Sequence, residues 1–121
     1  MSQAAYKLIV SAPPEYAEKI MDSVTASIKP FYDGYDRCFS VTDCKGTWRT
    51  LEGSKPFNGK TGEITIADEK RIEFIVREED LKKAIAAIVS VHPYEEPAID
   101  VIPCYGWKSF LQRSSFAGLY E

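Results

Sequence analysis

The stretch VHPYEEPAIDV, residues 91–101, holds the single histidine of the chain and two of its prolines. A residue before proline is pushed out of the helical region by the pyrrolidine ring, so Pro93 ends a helix at about Val91. Pro97 restricts Glu96 in the same way and starts an extended run, Ala98–Ile102. The stretch therefore reads as a stiff corner between a helix and a strand. It also places His92, Glu95 and Glu96 within five residues, a donor set suited to a divalent metal such as zinc, manganese or iron. Adjacent glutamates in extended backbone point to opposite sides. A metal centre here calls for a further donor from a neighbouring subunit or from Asp33, Asp36 or Glu63. Otherwise the polar side chains of the corner bond the backbone of neighbouring loops.

Before the corner, Leu81, Ile85, Ile88 and Val89 supply one apolar helical face, and Glu78-Glu79-Asp80 places three acids at that helix's N-terminal dipole. Glu69–Val76 alternates as a strand does, with Ile72, Phe74 and Val76 on its buried side. Near the N-terminus Tyr6–Val10 is a β-rich run ended by Ala12-Pro13-Pro14, and Pro14 suits the first turn of a helix. Tyr16, Ile20, Val24 and Ile28, with Ala17 and Met21 beside them, give that helix its apolar face until Lys29-Pro30 closes it. A turn at Asp33–Asp36 leads into a strand at Cys38–Val41. A second short strand about Thr47–Arg49 is expected to pair with it through Asp43–Gly46. Gly53, Pro56, Gly59 and Gly62 make residues 50–68 a long excursion.

The sum is α+β, the β-α-β-β-α-β unit of a ferredoxin-like sandwich. Two helices would cover one face of an antiparallel sheet and leave the other bare, which asks for a partner unless that face is polar. The expected domain spans residues 1–103, with a long loop at about 42–68. Residues 104–121 form an aromatic extension (Tyr105, Trp107, Phe110, Phe116, Tyr120) that packs on its own sheet or on a neighbouring subunit.

A chain of 121 residues supports one domain, with roughly two-thirds of its unfolded surface buried. A net charge of −3 without a run of like charges argues against a nucleic-acid or anionic-membrane surface. Three cysteines, Cys38, Cys44 and Cys104, without C-x-x-C spacing read as buried or inert thiols of a reducing compartment. The N-terminal run lacks a basic flank and is too short for a signal peptide, and no apolar stretch spans a bilayer. The expectation is a cytoplasmic protein.

GSKPFNGKT, residues 53–61, imitates a phosphate loop but fails it. Five residues separate Gly53 from Gly59, Pro56 lies inside, and an extended segment follows Lys60-Thr61 where a helix N-terminus is required. What survives is a glycine-rich loop carrying Arg49, Lys55 and Lys60, able to wrap a small anionic ligand at a subunit boundary. Nucleophilic catalysis finds no serine signature and no histidine near Cys38 or Cys44 in sequence.

Gly34-Tyr35-Asp36-Arg37-Cys38-Phe39-Ser40, Gly46-Thr47-Trp48-Arg49, Gly53-Ser54-Lys55-Pro56-Phe57, Glu69-Lys70-Arg71-Ile72-Glu73 and above all His92-Pro93-Tyr94-Glu95-Glu96-Pro97-Ala98 occur in this order. Together they resemble the small domain of the NGG-one-interacting-factor-three-like (YqfO-like) proteins. The resemblance implies a ferredoxin-like fold of the PII and CutA type, whose subunits associate through sheet surfaces, as trimers or else dimers. It also implies that the glycine-rich excursion occupies the place of the ligand- and partner-binding loop of PII-type proteins. The di-metal site of the long family members belongs to flanking domains, so its ligands and any hydrolase-like activity do not carry over. Thr50 stands where the family usually has proline, and the aromatic tail runs past the usual end.

The expected function is a non-enzymatic, oligomeric binding or regulatory module for a small ligand or metal ion. Its site would lie where residues 34–63 meet the His92 corner. His92, Tyr94, Glu95 and Glu96 are the candidate contacts, with Tyr35, Asp36, Arg49 and Lys60 contributing; His92, Glu95 and Glu96 are the candidate metal ligands. Two alternatives are a metal-dependent hydrolase built on the same corner and a protein-interaction module that docks on a larger partner.

Overall fold

Alternating apolar residues build the centre of the sheet. Strand β1 (Ala4–Ala12) buries Leu8, Val10 and Ala12, and β3 (Ile64–Arg77) buries Ile72, Phe74 and Val76 opposite them, in the register Leu8↔Phe74 and Val10↔Ile72. With β2 (Ser40–Arg49) outside β3 and β4 (Ile99–Tyr105) outside β1, the antiparallel sheet runs β2-β3-β1-β4. This computed structural model describes residues 4–111.

Helices α1 (Ala17–Ser27) and α2 (Leu81–Val91) lie on one face of the sheet. The first buries Ala17, Ile20, Met21 and Val24, and the second Ala84, Ala87 and Ile88. Pro14 falls in a short 3-10 turn, Pro14–Tyr16, that leads into α1. The acids at Glu78–Asp80 form a second such turn before α2. There Asp80, buried, accepts the Lys29 N–H at 3.1 Å and fastens the end of α1 to the start of α2. Helix α2 stops at Val91, and His92 is extended (φ −73°, ψ 131°) ahead of Pro93. Two core assignments change. Val89 is exposed, because α2 turns its smaller Ala84 and Ala87 inward. The cysteines are free, with Cys38 exposed and Cys44 and Cys104 half-buried, so none is a core thiol.

The largest departure from the sequence reading is in β2. Asp43–Gly46 is not a turn between two short strands but the middle of one ten-residue strand. The long loop accordingly shrinks from about 42–68 to the residues between Arg49 and Ile64. Pairing of β1 with β3 ends at Ala12↔Lys70, whereas β2 and β3 stay paired out to Arg49↔Ile64. A two-stranded ribbon thus projects beyond the point where the central strand leaves the sheet for α1. At the other end β4 continues through Tyr105, and Trp107–Phe110 forms a 3-10 turn with the Tyr105 and Phe110 rings edge to face at 5.6 Å. Most of the aromatic tail, residues 112–121, lies outside the described residues.

Candidate functional site

Where β1 ends, β3 continues with β2 on one side and the chain entering β4 stands on the other, and together they enclose a space. On one side stands the β2–β3 ribbon. On the other is the corner that carries the chain from α2 into β4, tied to β1 by the Ser11 N–H donating to the Ala98 carbonyl at 3.4 Å. The loop after β2 folds over this space, leaving an open cleft of about 650 Å³. Its walls include Ser11, Trp48, Arg49, Phe57, Glu69 and Tyr94, and Glu95 and Glu96 also line it.

The corner is held by His92, which is 8% exposed. Its Nδ1 accepts the Tyr94 backbone N–H at 3.2 Å, so the proton sits on Nε2, which donates to the Ser11 carbonyl at 2.8 Å. Burial pushes the imidazole pKa down, against smaller upward pulls from the Ser11 carbonyl and the Glu69 carboxylate. A neutral ring with both nitrogens bonded to backbone fixes where Tyr94 stands.

Tyr94 reaches across to the ribbon, and its hydroxyl donates to Glu69 Oε2 at 2.7 Å. Burial first, and then that carboxylate, push the phenol pKa far up, so it remains a donor throughout the ordinary pH range. Glu69 is 6% exposed because its carboxylate lies on the bare Cα of Gly46 in the adjacent strand, where an added Cβ would fall on the carboxylate atoms. The rings of Trp48 and Phe57 flank Tyr94 at centroid distances of 5.5 and 6.0 Å. Gly59 (φ +103°) lets the loop press against the ribbon, with the Trp48 indole nitrogen 3.3 Å from the position a Cβ would take. Glu95 latches the loop by accepting the Lys55 backbone N–H at 2.9 Å.

The expected site residues therefore separate into groups. Tyr94, Glu95, Glu96 and Arg49 line one cleft, and His92 stands behind it as a brace. Lys60 is in the covering loop but outside the cleft lining. Tyr35 and Asp36 lie apart from the cleft, around a separate cavity of about 30 Å³ bordered by Thr25, Phe39 and Phe74. Among the described residues, no three His, Cys, Asp or Glu side chains come together as a metal-holding group. His92 has no free ring nitrogen and Glu95 is bonded to the loop backbone, so the set His92, Glu95 and Glu96 does not fit a metal centre as placed. Glu69, Trp48 and Phe57 are contributors the sequence reading missed. The available signal was Gly46, since a glycine inside a strand often marks a close approach by another group.

A ferredoxin-like α+β domain of the CutA and PII type, with a cleft beside its central strand, is the class these features define. CutA from Archaeoglobus fulgidus, described as a periplasmic divalent cation tolerance protein, superposes with a TM-score of 0.65 at 22% identity, covering 88% of this chain and 90% of that one. A Bacillus cereus protein related to NIF3 superposes with a TM-score of 0.75 at 29% identity, covering 88% of this chain but 28% of the other. In sequence, the GTP cyclohydrolase 1 type 2 homologs of Halalkalibacterium halodurans and Bacillus subtilis are each 33% identical, over 102 and 97 residues, or 84% and 80% of this chain. The chain belongs to the NIF3-like (YqfO-like) family, where it corresponds to the small domain. It spans about a quarter of the length of those curated relatives (27% and 26%). No protein-family model matches the sequence.

Proposed function

We propose that the chain is a non-enzymatic binding or regulatory module that seats a small ligand in the cleft between the ribbon, the loop after β2 and the His92 corner. One observation carries this reading: the Lys55–Glu95 latch holds a glycine-bearing loop over a half-polar, aromatic-walled cleft. The alternatives draw less support. A hydrolase at this corner needs a ligand or base, and both nitrogens of the one histidine are taken by backbone.

Assembly belongs to the same proposal. On the sheet face away from the helices, Ile102 of β4 is exposed and Ile9 and Ile75 are half-buried, interleaved with Lys7, Glu73 and Asp100, a mixed apolar and charged face that a second copy would cover. A homotrimer is the expected form and a homodimer the alternative; docking on a larger protein partner would use the same face.

The test is a small-molecule screen read by amide and indole chemical shifts. The reading predicts hits whose shifts concentrate at Trp48, Tyr94 and residues 50–58, and that Trp48→Ala weakens. Hits that map elsewhere would count against it. Light scattering tests assembly, with a mass at a multiple of 13.6 kDa expected and a monomer contrary to it.

A further inference from the structure

Glu69 is the buried carboxylate of the cleft, and its partnership is incomplete. Tyr94 supplies one hydrogen bond and no charge. Among the described residues no lysine or arginine stands within ion-pair distance of it. A carboxylate this buried is normally offset by a cation. The surroundings deepen the deficit. Glu95 and Glu96 line the same cleft, and the Tyr94 hydroxyl is also under the field of Glu15. Of the three cations at the cleft, Lys45 pairs with Asp68 and Arg71 with Glu73 (3.3 Å), which leaves Arg49 against three carboxylates.

Two further features describe a ligand rather than a structural ion pair. The rings of Trp48, Tyr94 and Phe57 stand in a row along the wall, surfaces on which a flat apolar body packs and toward which a cation is attracted. Thr50, 5% exposed and also in the cleft lining, holds a buried hydroxyl with no partner among the described residues.

We infer that the cleft takes a small organic cation, an amine or guanidinium carried on a flat apolar body. Its N–H donates to the open oxygen of Glu69 while its body lies against Trp48 and Tyr94. The inference rests on the cleft reading and adds the charge and shape of what fills it.

Calorimetry with three probes of one shape tests it: tyramine, neutral p-cresol and anionic 4-hydroxyphenylacetate. Tyramine is expected to bind more tightly than either of the others by about tenfold or more, the usual scale of a charged hydrogen bond. Glu69→Gln keeps an acceptor for the Tyr94 hydroxyl, so the fold should hold while the preference disappears. Trp48→Ala, which leaves Glu69 in place, should weaken tyramine as well. Equal or tighter binding of the anion, a tyramine preference that survives Glu69→Gln, or no binding of tyramine each overturns the inference. The cleft reading stands separately: if p-cresol or the anion binds with shifts at Trp48 and Tyr94, the site is real and only its charge has been misjudged.

Discussion

The Tyr94 hydroxyl lies 2.7 Å from Glu69 Oε2, so a side chain of the proline-braced corner closes directly onto the ribbon that projects past the central strand. This bond joins two parts of the sheet edge that β1 no longer connects. Removing its donor with Tyr94→Phe leaves a buried carboxylate without a hydrogen bond. Stability should fall by about 1–3 kcal/mol, read as a lower urea midpoint at unchanged slope. An unchanged midpoint would mean that the bond contributes nothing to the closure.

Gly46 and Glu69 should behave as one unit. A Cβ at Gly46 falls on the Glu69 carboxylate, so Gly46→Ala must displace a buried charged group. Overpacking of this kind costs about 1–3 kcal/mol. In a Glu69→Ala background the obstacle is gone, and the same Gly46→Ala change should cost much less. A double-mutant cycle reads the difference, and additive effects would contradict the packing described.

The pH dependence follows from His92. Its folded pKa lies below the ordinary value of 6.5, chiefly through burial. The unfolded chain therefore binds the proton first as pH falls. Stability is full above about pH 6.5 and is lost as pH drops from there through the folded pKa. Protonating Nδ1 also removes the acceptor for the Tyr94 N–H. Acid should thus loosen the corner before it unfolds the domain, visible as shifts at Tyr94 and Ser11. His92→Gln should flatten that slope of the stability curve, and an identical pH profile in wild type and variant would overturn the assignment.

The loop latch is testable without a ligand. Glu95→Ala removes the acceptor of the Lys55 N–H on an exposed corner, and global stability should hardly change. Trypsin cleavage after Lys60 should accelerate severalfold, because local opening of the loop becomes easier. Unchanged cleavage would show that the loop is held by other contacts.

These relationships differ in how far they can be read from the chain. The period-two and period-four apolar patterns of Tyr6–Val10, Ile20–Val24 and Ile72–Val76, with Pro93 and Pro97, are enough to order the elements and place the corner. Strand β2 defeats the same rules. Asp43 and Lys45 look like turn residues, yet in the ribbon they pair across strands with Lys70 and Asp68. A strand lying largely outside the core carries no apolar alternation to announce it. The site was legible as a place and not as a mechanism. Tyr94, Glu95 and Glu96 stand together because the corner is local, whereas the bonds of His92 to Ser11 and of Tyr94 to Glu69 join residues 81 and 25 positions apart. Sequence spacing has no access to such pairs.

Fluorescence of Trp48 tests the central claim most directly. The chain has two tryptophans, and Trp107→Phe leaves Trp48 as the only emitter. Titrating a ligand that calorimetry shows to bind should change Trp48 emission saturably, with the same dissociation constant. Saturable heat with flat Trp48 emission would place the ligand elsewhere and contradict the cleft as the binding site.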